Sequence, residues 1–274
     1  PRWRTILLGG LGAGGNGLYA IDITNPNSPT HLFAISNDES NKAIQHWGSN
    51  RFKNDFGYAG GSIDPKYDYR KLGEAWSTPR IIRIKVDGKD KWVAVFGGGY
   101  NGAVNPNVGS AVFVMDLEDE GRLLKVIDIE DTANDIVNSL PADLSVITAD
   151  GTNKANYNGA MIYATDLEGK VTKINLTENF VIDTDQNSST YNSIVRPVAS
   201  DKEVHQTTLF TAEATSANGR YIYTRPEVTI NSDNNLWLYF GTGNTQKLQT
   251  QSSQVQNRLY GIKDKNFPNF VEVS

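Results

Sequence analysis

The residues best spaced to hold a cation are Asp183-Thr184-Asp185-Gln186-Asn187, with Ser189 two places further on. Oxygen donors on alternate residues begin a calcium loop, because alternate side chains can converge on one ion. The run lacks a glycine at its sixth position and an acid at its twelfth. The competing reading, which needs no metal, is a solvated Asx-rich turn, in which short polar side chains bond nearby backbone. A second chemically loaded stretch is His46-Trp47-Gly48-Ser49-Asn50-Arg51-Phe52-Lys53, continuing to Phe56-Gly57-Tyr58. Trp, Tyr and Arg dominate interface hot spots, so Trp47, Arg51, Phe52, Phe56 and Tyr58 are candidate partner-binding residues. The competing reading is a loop whose aromatics fold back onto the body of the protein.

Other chemistries find no support. His31, His46 and His205 are isolated and lack zinc-type spacing. No GxSxG occurs, and no carboxylate pair stands out as an acid–base couple, so no catalytic residue is assigned. Gly12-Ala13-Gly14 follows an apolar run, but a dinucleotide fingerprint needs a helix next. The residues that follow, Leu18 to Thr24, pattern as a strand, which makes the glycines a hairpin turn.

The scaffold for these residues shows as a recurring unit of strand, glycine turn and strand that closes on aspartate. It appears at Ile6 to Asp22, Trp92 to Asp116, Ala160 to Asp166 and Leu236 to Asp264. The closing aspartates Asp22, Asp116, Asp166 and Asp264 lie 94, 50 and 98 residues apart. That is a period of about 47–50 residues with two weak beats, and a strand-built repeat of this length implies propeller blades. One weak beat falls on Leu209 to Ala212, the other on a polar, aromatic stretch near Tyr69. The aspartates are expected to cap blade-end turns. Prolines at Pro79 and Pro226 each open a strand, where the missing N–H breaks no ladder bond. Residues 37–72 and 179–193 break the rhythm and are expected to be insertions without regular structure. Arg220–Tyr223 is expected to be a short strand.

Composition narrows the class further. The chain has 274 residues, a net charge of −5 and no cysteine. It therefore offers no broad attraction to nucleic acid or anionic lipid, no disulfide, and no apolar run long enough for a membrane-spanning helix. The start at Pro1, without a signal peptide, reads as an excised part of a longer protein holding one β-propeller over residues 1–274.

Four stretches, in order, carry a family resemblance: Gly12–Pro26, Ala75–Gly102, Ile162–Leu176 and Thr224–Asp264. Together they resemble the C-terminal propeller of the PilC/PilY family of type IV pilus proteins. The resemblance implies an all-β, modified quinoprotein-like propeller of four-stranded antiparallel blades, with the first blade incomplete. It implies a non-enzymatic role at the pilus tip on the outer surface of a Gram-negative bacterium. There the domain controls pilus extension and retraction and supports host-cell adhesion. Its implied partners are pilin or minor pilins and a host-cell receptor, without nucleic acid or direct membrane insertion.

The resemblance further implies calcium regulation and no organic cofactor. Family members carry a calcium loop before the segment matching Ile162 to Gly169. Here that loop offers Asp150, Asn153, Asn156 and Asn158, with one carboxylate among them, which would make a weak site. The family places tryptophan where Thr172 stands. Two other readings share the architecture: a quinone-dependent dehydrogenase and a glycan-binding propeller.

Overall fold

The computed structural model describes residues 3–101, 108–130, 138–149, 158–198, 202–249 and 254–271. Those residues form four sheets whose strands pair almost entirely antiparallel, with two short 3₁₀ turns. The first sheet runs β1 (Ile6–Gly10), β2 (Gly17–Asp22), β3 (Thr30–Asp38), β4 (Ala43–Trp47) and β5 (Lys53–Gly57). The second holds β6 (Arg80–Val86), β7 (Lys89–Gly97), β8 (Ala111–Asp116) and β9 (Leu123–Asp128). The third holds β10 (Ser145–Thr148), β11 (Ala160–Thr165), β12 (Lys170–Leu176) and, after an excursion, β15 (Gln206–Thr211). That excursion forms β13 (Asn179–Ile182) and β14 (Ile194–Val195), which extend the second sheet beyond β6. The fourth sheet is β16 (Glu227–Ile230), β17 (Leu236–Gly241) and β18 (Leu259–Asp264).

Side chains alternate across a strand, and the packing follows that alternation. On β7, Val93 and Val95 join the apolar cluster shared with the third sheet through Ile162 and Ile174. Ala94 and Phe96 turn to the first sheet and meet Leu18, Phe33 and Ile35. A third cluster seats Met161 and Tyr163 against Leu236, Leu238 and Phe240 of the fourth sheet. The middle sheets are thus buried on both faces, and β8, β11 and β12 are buried along their whole length. This is why β8 and β11 read as continuous apolar runs rather than alternating ones, while β12 buries Lys170, Thr172, Lys173 and Asn175 among its apolar residues.

The closing aspartates share one local design. Asp22, Asp116 and Asp264 each accept the backbone N–H two residues on, from Thr24, Glu118 and Asn266, at 2.8–3.0 Å. Asp166 accepts from Lys170 N at 2.9 Å. The second oxygen of each faces a cation: Arg4 at 3.7 Å, Lys91 at 2.7 Å, Lys170 at 3.9 Å and Lys173 at 2.6 Å, in chain order.

Three sequence expectations need correction. Residues 37–72 are not a strandless insertion: β3 continues to Asp38, and β4 and β5 form a hairpin that completes the first sheet. Ile44, Tyr69 and Leu72 from this stretch are fully buried. Its inward apolar positions alternate with Asn, Gln and Lys, so the average looks like loop. Residues 179–193 begin as a strand, because Phe180 fills the core between the second and third sheets. Arg220–Tyr223 is coil rather than strand, with Tyr221 and Ile222 buried.

Candidate functional site

The β4–β5 hairpin carries the candidate partner-binding residues and separates them into two groups. At its tip Arg51 adopts φ 64°, its N–H donates to Gly48 O at 2.9 Å, and Phe52 N donates to Asn50 Oδ1 at 3.0 Å. The turn is docked on the second sheet. Ser49 N and Oγ both donate to Glu120 Oε1, at 3.0 and 2.5 Å, and His46 Nε2 lies 2.8 Å from Glu120 O. The Ser49 hydroxyl bond holds the Glu120 carboxyl below its ordinary range, with the Ser49 N–H adding to it. Gly48 gives the carboxylate room: a Cβ there would come within 2.6 Å of Glu120 Oε2. The result is an anchored tip that presents Arg51 and Phe52, the latter 73% exposed.

The remaining residues of the set are built into the body. Phe56 stacks on Tyr67 at 3.9 Å between ring centroids, and Tyr67 lies edge-on to His46. Tyr58 donates to Asn37 Oδ1 at 2.9 Å, and burial raises its phenol pKa. Trp47, half-buried, ends β4 opposite Lys53. The hairpin therefore combines a packed aromatic base with an exposed cationic–aromatic tip.

In the 183–193 loop the oxygens spaced for a cation are already committed. Asp183 Oδ1 accepts Asp185 N at 3.1 Å, and Asp185 Oδ1 accepts Asn187 N at 3.0 Å. Asp183 Oδ2 takes the Thr190 hydroxyl at 2.6 Å and the Lys202 ammonium at 3.1 Å. Bonds from Ser188 and Thr190 push the Asp183 carboxyl far below its usual range. These are successive Asx turns closed by an ammonium, so the donor set does not fit calcium as it is folded. Among the described residues no group of three acidic or histidine side chains is arranged to hold a metal. Asp150, Asn153 and Asn156 lie outside the described residues; Asn158 is exposed just before β11.

One acid escaped the sequence reading except as a turn cap. Asp166 is fully buried, and burial raises its pKa to about 7 against the pull of Lys170 and Asn138. Asn138 Nδ2 bonds both Asp166 and Glu168. No sequence signal distinguishes Asp166 from its three counterparts; only the surrounding packing does.

Radially repeated sheets joined face to face by apolar clusters, each with a capped aspartate at the same strand end, define a β-propeller. The solved C-terminal domain of PilY1 from Pseudomonas aeruginosa has the same fold, with a TM-score of 0.62 at 22% identity over 97% of this chain and 46% of that one. The family model described as the PilY1 beta-propeller domain matches residues 1–274, and the chain belongs to that family. Its relatives include the type IV pilus biogenesis factor PilY1 homolog of Xylella fastidiosa, 27% identical over 97% of this chain and 15% of the relative. The PilY1 of P. aeruginosa strain UCBPP-PA14 is 27% identical over 96% of this chain and 20% of the relative. The chain thus spans a fifth or less of the length of these relatives. Among the described residues no helix is long and apolar enough to cross a membrane.

Proposed function

We propose that this propeller is a non-enzymatic binding and assembly module of a longer type IV pilus protein. It acts at the pilus tip, on the outer surface of a Gram-negative cell, in extension and retraction of the fibre and in adhesion to host cells. The observation that carries this reading is the match of the pilus-protein propeller family along the whole chain. The partners are pilin or minor pilins and a host-cell receptor. The β4–β5 tip is the contact element: Arg51 and Phe52 are exposed, fixed in place by Glu120, and of the residue types that anchor interfaces.

The test replaces the propeller-containing gene by one encoding Arg51→Ala/Phe52→Ala and scores surface pili, twitching and adherence. Both side chains are exposed, so the melting temperature should move by less than about 2 °C. Adherence or pilus number should fall several-fold. Wild-type values for all three would remove the tip from the function. Unchanged pili after deletion of the whole propeller would overturn the assembly role.

A further inference from the structure

Where the coil of residues 216–224 meets the connection from β17 to β18 lies a cavity of about 690 Å³, within the range of small-ligand sites. Its floor is the glycine-rich segment after β17, pinned on both sides: Gly243 N donates to Tyr221 O and Thr242 N to Arg258 O, each at 2.9 Å. Tyr221 and Tyr223 stand in its wall, edge to face at 6.3 Å. Tyr223 is backed by Tyr100, which stacks on Trp76 at 4.7 Å, so the wall is a braced aromatic surface. Burial, with Tyr100 adding to it, raises the Tyr223 phenol pKa, which keeps its hydroxyl neutral at any physiological pH.

The polar lining is amide and hydroxyl. Asn257 is exposed at the mouth. Asn244 spends its oxygen on Gln246 N at 3.0 Å and keeps its amide N–H groups for a ligand. Lys247 sits on the rim, and among the described residues no carboxylate lies within ion-pair distance of it. Among the described residues the lining contains no acid. That sets the pocket apart in a chain of net charge −5, because the cavities of 610, 820, 390 and 290 Å³ each carry at least one Asp or Glu.

We propose that this pocket binds a saccharide unit. Tyr223 offers an apolar ring to the C–H face of the sugar, Asn244 and Asn257 bond its hydroxyls, and Lys247 favours a sugar carrying a carboxylate. A tyrosine combines apolar body and polar tip, and neutral amides read hydroxyls as both donors and acceptors. The absence of lining carboxylates leaves an anionic substituent unopposed. The assignment supplies a ligand class for adhesion and in that respect rests on the function proposed above.

The test incubates the purified 274-residue chain with an array of neutral and carboxylate-bearing glycans, followed by calorimetry on the best neutral and acidic hits. Retention of at least one saccharide is expected. Asn257→Ala and Tyr223→Ala should each weaken it at least tenfold, and Tyr223→Phe should retain most of the affinity. Lys247→Ala should narrow the acidic-to-neutral affinity ratio about two- to fivefold, the value of an exposed charge contact. An empty array, or equal binding by Asn257→Ala and Tyr223→Ala, overturns the proposal. The array is read without pili, so a chain that fails on it yet supports pilus assembly overturns the pocket alone.

Discussion

Lys173 of β12 is the cation that binds the third sheet to the fourth, and removing its charge should cost more than any surface ion pair could. Its ammonium is 2.6 Å from Asp264 Oδ2, donates to Asn269 O at 2.9 Å, and lies 5.7 Å from the centre of the Phe270 ring. Both side chains are about 1% exposed. Burial lowers the Lys173 pKa, and Asp264 counters it. Lys173→Met keeps the shape and leaves the Asp264 charge buried, still bonded by Tyr163 OH at 2.7 Å and by the N–H groups of Asn266 and Phe267. Those three donors place the cost at the low end of the range for breaking a buried pair, about 3 kcal/mol. Asp264→Asn strands the ammonium but keeps an oxygen for the N–H groups of Asn266 and Phe267, so its cost is that of breaking a buried pair, about 4 kcal/mol. At about 2–4 °C per kcal/mol the first variant should melt about 6–12 °C below wild type. Lys173→Met/Asp264→Asn removes both charges and keeps an oxygen for the turn, so it should lie within about 2 kcal/mol of wild type, far less than the sum of the two singles. Urea denaturation of the four proteins measures the cycle. A Lys173→Met variant within 1 kcal/mol of wild type, or strictly additive singles, would refute the reasoning.

Asp166 should make stability fall as pH rises. Its folded pKa of about 7 exceeds the ordinary value of about 3.9. Between these values the folded state binds more protons than the unfolded one, and the contribution present below about pH 4 is lost by about pH 7. Glu168, Lys170 and Asn138 face it. Wild type should lose about 2–3 kcal/mol between pH 5 and pH 8 from this group, and Asp166→Asn should flatten the dependence; parallel slopes for the two proteins would exclude Asp166 as its source. Thr172 is buried, and among the described residues its Oγ1 has no hydrogen-bond partner, so Thr172→Val should stabilise by about 1 kcal/mol. Its melting temperature should rise by about 2–4 °C, and a fall would show that the hydroxyl is satisfied in solution.

The aspartate rhythm made the blade strands legible: β1 and β11 stand inside the units at Ile6 to Asp22 and Ala160 to Asp166, and β16 opens directly after Pro226. What stayed hidden has a common cause. β4, β5 and β13 bury one face through a few residues, such as Ile44 and Phe180, set among polar neighbours, and a window average dilutes them. Conversely, Tyr221 and Ile222 look like strand because they are apolar, yet their burial comes from packing in coil against Leu167 and the fourth sheet. For the binding residues, type was readable and direction was not. Arg51 and Phe52 face solvent while Phe56 and Tyr58 face the body, a division made by the hairpin turn and by Glu120, 71 residues from Ser49. Deleting 41–70 would therefore remove Ile44 and Tyr69 from the core rather than test the tip.

The four closing aspartates show how one repeat position acquires different duties from its surroundings alone. In every copy one oxygen holds the turn, a local bond that the strand end dictates. The other oxygen is left to context. Asp22, 17% exposed in its side chain, meets Arg4 at 3.7 Å, a contact of the kind worth at most about 1 kcal/mol. Asp116, 5% exposed, meets Lys91 from the adjacent strand at 2.7 Å, which reinforces its own sheet. Asp264, equally short of solvent, takes its cation from another sheet and becomes an inter-blade pin. Asp166 is just as buried, but its ammonium stands at 3.9 Å and spends a bond on Ile129 O at 2.7 Å, so the carboxyl is left under-compensated and titrates near neutrality. Burial rises across the set while compensation does not follow it, and that mismatch, rather than the residue type, concentrates pH sensitivity in the third sheet.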